Sequence, residues 1–166
     1  MLKKLITTAL IGLITSTACL AEDYQSQGVR FTVPLAFSQP TKAGVHAEQL
    51  SYPEQGELKM EIITYVASPD ERQNLKDAGQ SLTKYFCSTF LGITSQPLEV
   101  NKALIGDKGG RHLVYQSSIP RQCRADVFEV DRPDGSFVAI ALRSFAGVSE
   151  EQRIEVSEAI RKSLKF

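Results

Sequence analysis

The chain has 166 residues, 42% of them hydrophobic, and its 19 basic side chains are balanced by 19 acidic ones. This balance excludes the strong basic excess that draws proteins to nucleic acids or to anionic membranes. The length fits one compact domain with a core of its own.

The first 21 residues have the three parts of a bacterial secretory signal peptide. Lys3 and Lys4 give a basic start, residues 5–18 contain no charged side chain, and small residues precede Glu22. The uncharged run is shorter than the roughly 20 residues that span a bilayer. We therefore predict that the segment is removed and that no transmembrane segment remains.

Cleavage after Ala21 predicts a periplasmic mature domain of residues 22–166. An alternative makes Cys19 the lipidated first residue of an envelope lipoprotein with a structural role. Ala18 directly before this cysteine suits lipidation, whereas Ser16 stands where such signals usually carry leucine. The acidic pair after Ala21 favours ordinary cleavage. Release of the domain beyond the envelope is a further alternative.

The mature chain keeps two cysteines, Cys87 and Cys123. In an oxidising compartment such a pair is most simply a disulfide. It closes a loop of about 37 residues and stabilises the fold by about 4 kcal/mol on the chain-entropy model. The rival hypothesis is a reactive thiol at Cys123, because Arg121 and Arg124 beside it lower a thiol pKa. Since the chain has no Cys-x-x-Cys pair, the sequence favours the disulfide.

Three strand patterns come first in the mature chain. Residues 29–34 alternate apolar and polar side chains, as in a half-buried strand. Residues 46–52 give a weaker pattern. Residues 57–66 become apolar on both faces, which predicts a strand covered on both sides.

A helix is predicted to begin after Ser68. Serine is a favoured capping residue, Pro69 suits the first helical position, and Glu71 completes a capping box. Apolar residues then recur at helical spacing as far as Phe90, and Gly92 is placed to end the helix in a left-handed turn. We expect one long helix here.

Two hairpins and a terminal helix complete the chain. The helix begins at a second capping box headed by Ser149 and runs toward Phe166. Short connections make the sheet mainly antiparallel. The element order predicts an α+β fold, a sheet of about seven strands between two helices in an α/β/α sandwich. The four strands of the hairpins cover residues 98–105, 111–119, 123–130 and 136–145.

Two segments are distinctive beside this element order, residues 28–34 (GVRFTVP) and residues 160–166 (IRKSLKF). With them, the element order resembles the PsbP-like superfamily, the group of PsbP, Mog and DcrB. The resemblance implies a small binding or accessory protein, often exported or lipid-anchored, without shared catalytic residues. It assigns no ligand to individual positions.

Catalytic motifs are absent from the sequence. The two histidines, His46 and His112, lie in different predicted strands, and there is no G-x-S-x-G string. A zinc site needs four clustered ligands, and the glycine-rich turn at residues 106–110 joins two strands rather than a strand and a helix. We predict a protein without enzyme activity, metal or cofactor. A hydrolase of unrecognised type is the less favoured alternative.

One stretch of the chain, residues 102–124, has a local excess of positive charge, because Asp107 is its only acid. We predict a docking patch for another envelope protein or a small anionic ligand; a solvated rim is the alternative. The leading function is therefore an exported binding or accessory protein, which includes inhibitors and immunity-type proteins. The patch consists of five basic residues: Lys102, Lys108, Arg111, Arg121 and Arg124.

Overall fold

The computed structural model describes residues 21–117 and 123–166. The predicted signal peptide, Cys19 and Arg121 therefore lie outside the described residues, apart from Ala21 at the predicted cleavage site. In chain order the elements are β1 (Glu22–Ser26), β2 (Val29–Val33), β3 (Thr41–Gly44), β4 (Ala47–Tyr52), β5 (Met60–Ala67), α1 (Pro69–Asp77), α2 (Leu82–Phe90), β6 (Glu99–Ile105), β7 (Lys108–Ser117), β8 (Cys123–Asp131), β9 (Phe137–Ser144) and α3 (Glu150–Ser163).

Seven strands form one antiparallel sheet in the order β3-β4-β5-β9-β8-β7-β6. The strand β9 lies at the centre, between β5 and β8. Its side chains alternate between two cores, with Val138 and Ile140 on one face and Ala139 and Ala141 on the other. The predicted α+β class, with an antiparallel sheet between helices, is confirmed.

Helix α3 and the β1–β2 hairpin cover one face of the sheet, which we call the α3 face. Val156 and Ile160 of α3 pack with Phe31 of β2 and with Phe128 of β8 in a single core. Arg30 and Lys165 exchange main-chain hydrogen bonds of 2.9 and 2.8 Å, which join the hairpin to the end of the chain. The hairpin thereby becomes part of the cover over this face.

Helix α2 covers the opposite face, which we call the α2 face. Tyr65 of β5 is fully buried there and stacks on Phe86 of α2, with ring centroids 5.6 Å apart. Helix α1 has no buried residue. Of the two helices on this side, it is therefore α2 that supplies buried side chains, Phe86 and Cys87.

The predicted single long helix is wrong, because the segment forms two helices. Gly79, at φ +70°, breaks the chain after α1. Ser81 then caps α2 by accepting a hydrogen bond from the Lys84 N–H at 3.2 Å. A left-handed glycine followed by a new capping serine ends one helix and starts another.

The main sheet has the predicted seven strands, but one member differs. Residues 29–33 pair with β1 in a separate two-stranded sheet. The seventh place is taken by β3, four residues that pair with β4 through an irregular register. Residues 41–44 (TKAG) have no apolar alternation, so the sequence did not indicate this strand.

Candidate binding groove

Two members of the predicted basic patch, Lys102 and Arg111, meet across the β6–β7 pair. The register places Arg111 directly between Lys102 of β6 and Glu129 of β8, and directly paired residues point to the same face of a sheet. Arg111 donates a hydrogen bond to Thr83 of α2, with an Nη2–Oγ1 distance of 3.1 Å. Lys102, Arg111 and Glu129 therefore all lie on the α2 face.

The other described members of the patch lie elsewhere. Arg124 is on β8 but points to the α3 face, where its Nη1 lies 3.6 Å from Glu150 of α3. Lys108 begins β7 beside the hairpin turn, 3.3 Å from Asp107. Arg121 lies outside the described residues. The four described members thus do not form one continuous surface.

Glu129 is the buried partner of Arg111. Its side chain is 2% exposed, whereas that of Arg111 is 52% exposed, and the Nη2–Oε2 distance is 2.5 Å. Burial raises the pKa of the Glu129 carboxyl. Hydrogen bonding with Thr83 and Arg111, together with the charge of Arg111, offsets this increase only in part. The ion pair fixes the guanidinium while leaving its outer face open to solvent.

Three adjoining cavities border Arg111, and we call them together the Arg111 groove. The largest, about 550 Å³, lies beside Lys102, Leu104 and Phe137. The second, about 480 Å³, lies beside the junction of α1 and α2. The third, about 410 Å³, reaches Val100 at the sheet edge. The groove thus joins apolar walls to a central cation.

Positive charge exceeds negative charge around this groove. Its two acids are each paired, Glu129 with Arg111 and Asp131 with Arg72 at 2.5 Å. Three lysines at the groove have no ion-pair partner among residues 21–117 and 123–166: Lys76, Lys84 and Lys102. A guanidinium with surrounding ammonium groups favours carboxylate or phosphate ligands.

The third cavity is also lined by Cys87. Both Cys87 and Cys123 are free and buried in the structure, so the predicted disulfide is not formed in it. Burial raises the pKa of each thiol to about 11, which opposes the reactive thiolate considered for Cys123. The disulfide stays a prediction for the oxidised protein.

A second charged cluster lies on the α3 face. Asp126 of β8, 2% exposed, accepts a hydrogen bond from Arg153 of α3. Its other oxygen is 2.8 Å from Nε2 of His112, whose ring stacks on Phe128 with centroids 4.7 Å apart. The Arg153 guanidinium also reaches Glu150 at 2.7 Å. This network fastens α3 to the sheet.

The two histidines lie away from the Arg111 groove. His46 Nε2 is 3.6 Å from Glu71 of α1, and His112 belongs to the cluster on the α3 face. In the described part of the chain, no group of three or more His, Cys, Asp or Glu side chains is placed to hold a metal ion. Within the same residues, every helix is too short or too polar to cross a bilayer.

Comparison with known proteins shows the fold. No protein-family model matches the chain, and a search of curated proteins finds no match. Among solved structures, a point mutant of Mog1 superposes with a TM-score of 0.53 and 9% identity, over 88% of this chain and 95% of that chain. The predicted resemblance to the PsbP, Mog and DcrB group is therefore supported in fold, and membership of that group stays a prediction.

A crystal structure from Bacteroides thetaiotaomicron is also similar. It gives a TM-score of 0.50 and 11% identity, covering 85% of this chain and 46% of that chain. The present chain thus spans less than half the length of that protein. At these identities neither neighbour carries a ligand or an activity over to this protein.

Sequence reasoning missed Glu129 and Asp126, two of the three acids that are buried in the described part of the chain. Both lie in β8 between apolar neighbours, Asp126 between Ala125 and Val127 and Glu129 between Phe128 and Val130. An acid between apolar neighbours is the available signal, since charged groups are rarely buried without a partner. Their partners come from 18 and 27 residues away in the chain. Only the strand register and the docking of α3 identify them.

Proposed function

We propose that this protein is an exported binding protein of the bacterial envelope that acts without catalysis, and that the Arg111 groove receives an acidic group of its partner. The observation that carries this proposal is the excess of lysines that have no ion-pair partner in the described part of the chain, around a guanidinium fixed by Glu129. Such an arrangement attracts an anionic partner and orients its carboxylate.

Apolar surface beside the groove supports a protein partner rather than a small anion. Leu98, Val100 and Leu104 at the β6 edge are 63%, 54% and 62% exposed. Exposed apolar residues next to an open cationic groove are typical of protein interaction sites. A small anion needs only the charges, whereas a protein partner also covers the apolar residues.

Binding is favoured over catalysis by the composition of the groove. Its carboxyl, Glu129, binds Arg111 through Oε2 and is 2% exposed; since Oε1 is buried as well, neither oxygen is open to a substrate. Both histidines lie outside the groove. General acid–base chemistry requires a titrating group that can reach its substrate with a free proton site. The resemblance to a group of accessory proteins points in the same direction.

Site-specific crosslinking in the source bacterium tests the proposal. A photo-reactive amino acid replaces Gln80, which lines the groove, and a control carries it at Gln55, an exposed loop residue. We expect an adduct with one envelope protein from the groove position only. Lys102→Glu should weaken the adduct about tenfold, equivalent to about 1.4 kcal/mol.

Lys42→Glu serves as the matched charge control. Lys42 is exposed on β3, at the opposite edge of the sheet from β6. The same reversal there should leave the adduct unchanged. Equal adducts at Gln80 and Gln55, or equal effects of the two reversals, would contradict the proposed site.

Export is tested separately at the mature N-terminus. The basic start and the uncharged run support cleavage after Ala21, and Ala18–Cys19 supports the alternative of a lipoprotein. Mass spectrometry of the protein isolated from envelope fractions distinguishes the two. A start at Glu22 agrees with the free periplasmic domain, and a diacylated Cys19 establishes the tethered one.

A further inference from the structure

The two edges of the main sheet differ. At one edge, β3 has four residues and an irregular register. At the other, β6 has seven residues in regular register with β7. Long, regular, exposed edges are the ones that accept another strand.

Main-chain groups along β6 point outward at alternate residues. The hairpin closes with the pair Ile105–Lys108 around a two-residue turn. The main-chain N–H and C=O groups of Ile105 therefore face β7, and those of Leu104 face away from it. In agreement, the Leu104 carbonyl accepts a hydrogen bond from Arg161 of α3 at 2.7 Å. By the same alternation, the N–H and C=O groups of Val100 and Lys102 face outward.

The side chains of these residues continue the Arg111 groove. Val100 pairs with Leu113, and Lys102 pairs with Arg111, both on the α2 face. Along the edge, the α2 face therefore presents an apolar residue, a cation and a second apolar residue. Val100, Lys102 and Leu104 are all exposed.

We propose that the β6 edge binds an extended segment of the partner as an additional strand. This rests on the proposed function, since it names how the acidic group reaches the Arg111 groove. The outward N–H and C=O groups of Val100 and Lys102 pair with the main chain of the segment. An acidic side chain of the segment lies beside Lys102, with apolar side chains beside Val100 and Leu104.

The positive charge of Lys102 favours an acidic partner segment over a second copy of this chain. Two β6 edges pairing antiparallel through the same outward groups would place Lys102 opposite, or diagonal to, its counterpart. Like charges at paired positions of a sheet are destabilising. An acidic segment removes this repulsion and adds attraction to Arg111.

A blocked nine-residue peptide provides the probe. It carries Val, Glu and Val at alternate positions, so that they face the groove together, with threonine between them. We expect binding by fluorescence anisotropy, and slower amide hydrogen exchange at Val100 and Lys102. A peptide with lysine in place of glutamate should bind at least about tenfold more weakly.

Two changes test the main-chain pairing. Val100→Pro removes an outward N–H without breaking the bonds to β7, which edge strands tolerate, while Val100→Thr keeps that N–H. We expect at least about tenfold weaker binding for the proline variant and a change within about threefold for threonine. An N-methylated peptide makes the same test on unaltered protein, in case the proline variant does not fold.

The outcomes separate this inference from the proposed function. Binding unaffected by N-methylation, or no peptide binding while crosslinking from Gln80 succeeds, overturns strand addition and leaves the groove proposal intact. Failure of crosslinking contradicts the groove proposal itself. A dimer in light scattering that Val100→Pro dissociates also overturns the inference, because it identifies the occupant as a second copy.

Discussion

Arg111 and Glu129 face each other across the β7–β8 pair, and their contact joins a half-exposed cation to a buried acid. The buried carboxylate has a desolvation cost that the half-exposed guanidinium offsets only partly. The pair therefore orients Arg111 toward the groove at some expense of stability.

We expect the difference in unfolding free energy between the Glu129→Gln variant and the wild-type protein to be more favourable to the variant at pH 8 than at pH 5. Because the pKa of Glu129 is raised in the fold, its contribution to the free energy of unfolding falls as the pH rises through that pKa. The glutamine variant lacks this loss. Urea unfolding at both pH values measures the difference, with exposed Glu99→Gln as control; a difference that is larger at pH 5 contradicts the prediction.

Asp126→Asn should destabilise the protein by about 3 kcal/mol, because it leaves the buried Arg153 without its main carboxylate. Asp131→Asn provides the same chemical change on the same strand. Since Asp131 is 66% exposed and pairs with exposed Arg72, it should cost at most about 1 kcal/mol. Urea denaturation compares the two, and equal losses would argue against a fastening role for Asp126.

Two neighbouring glycines should respond differently to alanine. A Cβ at Gly110 would lie 2.3 Å from the Glu129 main-chain oxygen, whereas a Cβ at Gly109 meets open space. We expect Gly110→Ala to cost about 1–3 kcal/mol and Gly109→Ala to be neutral or stabilising by up to about 1 kcal/mol. Thermal unfolding distinguishes them, and similar midpoints would mean that β7 and β8 separate easily at this point.

Both thiols should react slowly in the folded, reduced protein. With a pKa of about 11, roughly one thiol in a thousand is ionised at pH 8. Labelling with a chromogenic disulfide should be much slower than for a cysteine peptide and should accelerate in guanidinium chloride. Rapid labelling under native conditions would contradict the burial of Cys87 and Cys123.

A test of the disulfide predicted from the sequence requires protein that has been isolated from envelope fractions without reductant. After denaturation and alkylation, an intact mass without label agrees with a Cys87–Cys123 bond. Two alkyl groups would show that the exported protein keeps both thiols. The Cys87→Ser variant serves as control, because it leaves one thiol to label in either case.

Local signals in the sequence predicted the starts of α1 and α3 and the hairpins. Ser68 and Ser149 cap their helices as expected, accepting from the N–H groups of Glu71 and Gln152 at 3.1 Å each. Capping depends on neighbouring residues alone, so a sequence pattern is sufficient. The break at Gly79 was missed because the apolar spacing continues across it.

The groove was predicted only in part, since its assembly depends on long-range register. Lys102 and Arg111 were singled out by charge, but the same criterion included Arg124, which points to the other face. A one-residue shift of register moves a side chain across the sheet. The β7–β8 register, which places Glu129 under Arg111, is set by core packing and not by the local sequence.

The position of β9 at the centre of the sheet has a consequence for synthesis. A ribosome-bound chain that ends before Phe137 contains β3–β5 and β6–β8 but lacks the strand that joins them. The sheet is completed by residues 137–144, and its second face is covered by α3 at the end of the chain. Nascent chains therefore remain incompletely folded until residues 137–163 have been synthesised.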